Sequence, residues 1–111
     1  MKKLHPDGIP KDARQQIFYD TNLLCIREEI KKAREISEGK GSLYINVMVA
    51  TNDYERQVLA ACESGIDGIV SGAGFPFSLP EITKDYPEIA LVPILANARG
   101  VKMIIKKWAR Q

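Results

Sequence analysis

The 111-residue chain holds one histidine, two cysteines and one tryptophan, so it is poor in the residue types that most often carry chemistry. The histidine is His5, which stands in a proline- and glycine-containing start, so no Ser-His-Asp or Cys-His set can be assembled around a structured imidazole. Cys25 and Cys62 are too few and too far apart for a disulfide scaffold or a zinc site, and no metal ligands are expected. With no signal-like opening, they point to a reducing, intracellular, cytoplasmic setting. No apolar run approaches the roughly 20 residues of a membrane span, so no membrane partner is expected. Charge of one sign is also lacking. The 16 basic and 14 acidic residues leave a net charge of +2, which gives no basic face for nucleic acid. Lys102, Lys106, Lys107 and Arg110 read as the solvated face of a final helix rather than as a phosphate patch.

What is present is ordinary globular material: 45% hydrophobic and 27% charged residues, with aromatics at 7%. That composition excludes a disordered tail, a collagen-like repeat and a coiled coil, and the length allows one domain. Aliphatic side chains must do most of the packing.

Residues 1–21 read as an irregular N-terminal arm and residues 22–111 as the folded unit. From Thr21 the pattern is helical, with Leu23, Ile26, Ile30 and Ala33 on one stripe and Gly39 and Gly41 as the stop. Residues 42–50, SLYINVMVA, form an apolar run of strand length without alternation, which predicts burial on both faces. Asn52 with Glu55 predicts a capped helix carrying Tyr54, Val58, Ala61 and Cys62 inward, ended by Gly65. Residues 66–74 are a second strand running into glycines. Ser78 with Glu81 predicts another capping box, with Pro80 in the first turn and a short helix to about Asp85. Residues 89–95 are a third strand, and Asn97 can cap a last helix bearing Val101, Ile104, Ile105 and Trp108.

The order is α-β-α-β-α-β-α, with strands expected near 43–48, 67–72 and 90–95. Strands alternating with helices predict parallel βα units joined by right-handed crossovers. Three parallel strands leave two apolar outer strands unpaired. The chain is therefore expected either to assemble as a homo-oligomer or to form about three strands of a larger barrel.

Two features are candidates for chemistry. Asn46 interrupts an apolar strand, and a buried carboxamide needs partners for both its donors and its acceptor. It either bonds a neighbouring backbone or meets a polar ligand at the strand's end. Ser71-Gly72-Ala73-Gly74 closes the next strand with small residues that let a flat ligand approach the backbone, or simply form a tight turn. In parallel α/β proteins ligands bind at this carboxyl edge. The stretch Gly72-Ala73-Gly74-Phe75-Pro76 lacks the third glycine and the immediate helix of a dinucleotide fingerprint. Asn97 reads first as a helix cap, and Arg99 as a solvated residue that could also meet an anion.

Taken in order, Ile26-Arg27-Glu28-Glu29-Ile30-Lys31-Lys32-Ala33-Arg34-Glu35, Ile45-Asn46-Val47-Met48-Val49, Asn52-Asp53-Tyr54-Glu55, Ser71-Gly72-Ala73-Gly74 and Val92-Pro93-Ile94 resemble the nitronate monooxygenase (2-nitropropane dioxygenase) family. The likeness extends over about residues 22–110. It implies an FMN-dependent (β/α)8 (TIM) barrel that oxidises alkyl nitronates, a small-molecule substrate, with dioxygen. Flavin-dependent enoyl-acyl carrier protein reductases share these motifs. The resemblance assigns flavin contacts to Asn46, Ser71, Gly72, Ala73 and Gly74. Tyr44 stands where the family has glycine, and Ala96-Asn97-Ala98-Arg99 replaces its Ser-Ser-x-Arg. The family's catalytic histidine and phosphate-binding glycines would lie beyond Gln111, and His5 matches no family position. No catalytic residue is therefore assigned. The expectation is a partial barrel, inactive alone, that holds FMN weakly or not at all. The alternatives are a piece of a flavin-dependent enoyl-acyl carrier protein reductase, or a non-enzymatic, self-associating α/β module.

Overall fold

The computed structural model describes residues 11–110. Along them run α1 (Lys11–Ser37), β1 (Tyr44–Met48), α2 (Tyr54–Glu63), β2 (Gly68–Gly72), α3 (Leu79–Ile82), β3 (Ala90–Pro93) and α4 (Ala98–Trp108). The three strands form one parallel sheet in the order β1-β2-β3. The α/β class, the parallel pairing and the strand positions are as expected from sequence.

The arm is corrected in part. Residues 11–21 belong to α1, while residues 1–10, His5 among them, lie outside the described residues. The stretch KDARQQIFYD gives no apolar stripe because nearly all of it faces solvent; Ile17 and Phe18 are exposed. Local bonds support it instead, from Gln15 Nε2 to Tyr19 Oη and from Gln16 Nε2 to Asp20 Oδ1, both at 3.0 Å and i,i+4. Further along, Ile30 is the residue that α1 buries. Glu38 and Gly39 follow in the left-handed region, at φ 55° and 72°, and end the helix.

One core unites the helices with one face of the sheet. Val47 and Ile69 are buried among Ile30, Tyr54, Val58, Ala61, Cys62, Ile66 and Leu79, with Leu43, Ile45, Val49, Leu91 and Trp108 packed against them. Sequential strand order explains this one-sidedness. When every crossover has the same hand and the order never reverses, every connecting helix falls on the same side.

The expected burial of β1 on both faces is therefore wrong. Its burial alternates: Val47 is buried, whereas Tyr44, Asn46 and Met48 are exposed. The register sets three rows across the uncovered face: Tyr44-Gly68-Ala90, Asn46-Val70-Val92 and Met48-Gly72. Tyr44 lies over Gly68, and Ile94 over Gly72, so closely that an added Cβ would meet them at 2.7 and 2.9 Å.

The caps differ in detail from the sequence pattern. Asp53, not Asn52, holds the cap position of α2, and neither Asp53 nor Ser78 makes a side-chain cap bond. Asn97 does cap α4, its Oδ1 accepting from Gly100 N at 2.9 Å. The α4 stripe is only half used: Ile104 is buried, while Val101 and Ile105 are exposed.

At the amino end of the sheet, Asp67 joins three segments. Its Oδ2 accepts from Leu43 N and from Arg34 Nη2, both at 2.7 Å, and the same Arg34 nitrogen donates to Gly65 O. The Leu43 N–H first, and the Arg34 guanidinium second, hold the Asp67 carboxyl below its ordinary range. A depressed folded-state value contributes stability above the unfolded pKa, and that stability is lost as pH falls through the folded one. We predict that Asp67→Asn lowers the midpoint of thermal unfolding at pH 7. The gap to the parent should narrow below about pH 4, where an unfolded aspartate protonates. A gap independent of pH would show that the carboxylate charge is not what matters.

Candidate functional site

The candidate residues divide between the two faces of the sheet. Asn46 stands on the uncovered face in the middle of β1, exposed, between Tyr44 and Met48 and beside Val70. Its carboxamide makes no hydrogen bond among the described residues. It is the one amide side chain on a face otherwise made of Tyr44, Met48, Val70, Val92, Ile94, alanine and glycine.

Ser71 lies on the other side. It is fully buried; its Oγ donates to Val47 O at 2.7 Å and accepts from Tyr54 Oη at 2.6 Å. Its hydroxyl is therefore committed to tying α2 to β1 and β2. The Tyr54 hydroxyl has its pKa raised, chiefly by burial, with the Ser71 bond opposing. The side chain of Ser71 is thus not brought to the face that carries Asn46.

Gly72 belongs to the uncovered face, in register with Met48. Two residues of strand, about 6–7 Å, separate the Asn46 row from this rim row. Ala73 then takes φ 56° and Gly74 φ 138°, an unfavourable and a glycine-favoured conformation in succession. Both are exposed, and a Cβ on Gly74 would meet Val49 at 3.2 Å. The turn leads into Phe75, Pro76 and Phe77. Pro76 is fully buried, its carbonyl accepting from Trp108 Nε1 at 3.0 Å. Phe75 and Phe77 stack at 5.2 Å, and Lys107 lies 5.7 Å over the Phe77 ring. The loop after β2 is thereby pinned by α4.

Asn97 is engaged as a cap, and Arg99 is exposed in the first turn of α4. Cys62 is buried, and burial raises its thiol to about 11, so it is an inert core residue. Among the described residues no group of three or more His, Cys, Asp or Glu could hold a metal, and no helix is long and apolar enough to cross a membrane.

Sequence reasoning missed Asp53. It is 7% exposed, and its Oδ2 is buried without a hydrogen-bond partner among the described residues. Its other oxygen lies 3.7 Å from Arg56 Nη1. Within Asn52-Asp53-Tyr54-Glu55 it looked like one more polar residue of a helix start, and nothing in the pattern marks it as buried.

What the fold and site define is a one-faced parallel βα sheet with a lone carboxamide on its bare side. The chain matches no known family model and no curated protein.

Exchange of the two candidate polar residues should separate their roles. We predict that Ser71→Ala lowers the unfolding free energy by about 1–3 kcal/mol, because it leaves the Tyr54 hydroxyl buried without its acceptor. Asn46→Ala, at an exposed site, should change it by no more than about 0.5 kcal/mol. Urea denaturation of both variants measures the contrast, and equal effects would place Asn46 in the core network.

Proposed function

We propose that this chain is the flavin-facing part of a βα barrel of nitronate monooxygenase type, contributing about three of its strands. The observation that carries the reading is Asn46, a carboxamide without a partner among the described residues, on an apolar sheet face opposite the described helices. In a closed (β/α)8 barrel the helices ring the outside and the other face turns inward. The uncovered rows of the sheet then become barrel interior, and Gly72 to Gly74 its carboxyl rim.

The residues fit one part of FMN and not another. A carboxamide offers both donor and acceptor, which is what the polar edge of a flavin ring requires. The phosphate finds no such provision. Ile94 and Val49 already occupy the space beside Gly72 and Gly74, and the Gly100 N–H is taken by Asn97. FMN, when bound, supplies the redox chemistry by which the family oxidises nitronates with dioxygen. This chain's own contribution is confined to orienting the ring through Asn46 and keeping water from it with Tyr44, Met48 and Val92.

A second reading is a self-associating module without cofactor. It draws on the same bare face, where Met48 is 56% and Ile94 51% exposed. Sedimentation at micromolar concentration separates them in part, since a stable monomer removes the second reading.

For the first, we predict that titrated FMN shows no tight stoichiometric binding and that oxygen uptake with an alkyl nitronate stays at background. A missing positioned base alone costs about 10²–10⁴-fold in rate. Whatever weak flavin quenching is seen should fall with Asn46→Ala and persist with Ser71→Ala. Equal quenching by parent and Asn46→Ala would remove Asn46 from the site, and robust turnover would mean that the chain carries a complete site.

A further inference from the structure

The two edges of the sheet are not alike. Val49 N donates to Gly72 O and Leu43 O accepts from Asp67 N, so the odd-numbered residues of β1 bond toward β2. A parallel ladder alternates, and Tyr44, Asn46 and Met48 therefore turn their backbone groups outward. Among the described residues, three N–H groups and the carbonyls of Tyr44 and Asn46 are offered there; Met48 O is used by Thr51 N. On the far side, Ala90 N and Ile94 N bond to Asp67 O and Ser71 O, so Leu91 and Pro93 face outward from β3. Pro93 has no N–H, which blunts that edge.

Beside the open edge lies a groove of about 530 Å³ between α1 and β1. Ile26, Ile30, Ala33, Leu43, Ile45 and Ile66 line it. α1 packs mainly on α2, which leaves room next to β1. A strand edge that is free among the described residues and an apolar groove on one side of it together specify an occupant. It must present an unpaired extended backbone, and every second side chain must be apolar.

We propose that the outer edge of β1 is a site of β-strand addition for an extended peptide segment whose alternate residues are aliphatic. The segment bonds to Tyr44, Asn46 and Met48 and inserts its aliphatic side chains beneath α1. A second copy's β1 is a poorer occupant on the same side, because it brings its own charged 27-residue α1 into that space. The site belongs to the chain by itself: in the closed barrel of the flavin reading a neighbouring strand would take this same edge, so the two compete for it, and failure of peptide binding leaves the flavin reading standing.

The probe is the acetylated, amidated peptide Lys-Val-Thr-Val-Thr-Val-Lys, with an all-threonine version of the same length as control. Amide hydrogen exchange followed by NMR should slow by roughly tenfold or more at Tyr44, Asn46 and Met48 with the valine peptide, and not at Leu91. The control peptide should slow none of them. Met48→Pro removes an outward donor at a position where an edge strand tolerates proline, and should abolish the effect. If that variant fails to fold, Ile26→Glu, which puts a charge on the groove wall, should abolish it instead. Equal protection by both peptides, protection at Leu91, no protection at all, or protection that appears without peptide as the protein is concentrated would each overturn the proposal.

Discussion

Strand order governs this molecule. Because β1, β2 and β3 neighbour one another in chain order, crossovers of one hand place all the helices on one face. The hydrophobic material divides accordingly. Ile45, Val47, Ile69 and Leu91 join the core shared with the helices, and Tyr44, Met48, Val70 and Val92 lie on the face that no described helix covers. A doubly wound sheet reverses its order at the middle and so covers both faces. This one cannot, and its second face must find its cover elsewhere or stay wet.

The same constraint sorts the site. Period-two alternation sends Ser71 toward the helices and its neighbours Val70 and Gly72 toward the bare face. The hydroxyl that a linear motif groups with the glycines is therefore spent on Tyr54 and Val47, a bond that holds α2 to the sheet. Alternation also decides which backbone groups point off each edge. The residues whose side chains lie on the bare face, Tyr44, Asn46 and Met48, are the ones whose N–H groups leave the open edge.

Much of the architecture was legible because it is written in local pattern. The helix of Tyr54, Val58, Ala61 and Cys62 buries that very set, Asn97 caps as its spacing requires, and the three apolar runs are parallel strands. The errors have a common source. A run such as Leu43 to Val49 that is apolar at most positions looks doubly buried whether its second face packs against the same chain or against nothing, because hydrophobicity records suitability for burial and not its occurrence. The first turns of α1 were illegible for the converse reason: a helix exposed all round has no stripe. Asp53 and the Tyr54–Ser71 bond are contacts between elements, and no periodicity encodes them.

Asn46 constrains what can lie on the bare face. In the uncovered state its carboxamide is met by water and costs nothing. Any purely apolar cover would strip that water and strand its donors and acceptor, at about 1–3 kcal/mol. Val70 and Val92, its lateral neighbours, carry no polar side chain to relieve it. An occupant must therefore present a polar group at this one row while matching aliphatic and aromatic surface in the rows above and below. A flavin edge meets that pattern, and so would a partner with one aligned amide, whereas featureless hydrophobic collapse does not. The single polar residue on the face thus acts as a filter on register and chemistry, which the surrounding apolar side chains, tolerant of any apolar surface, cannot supply.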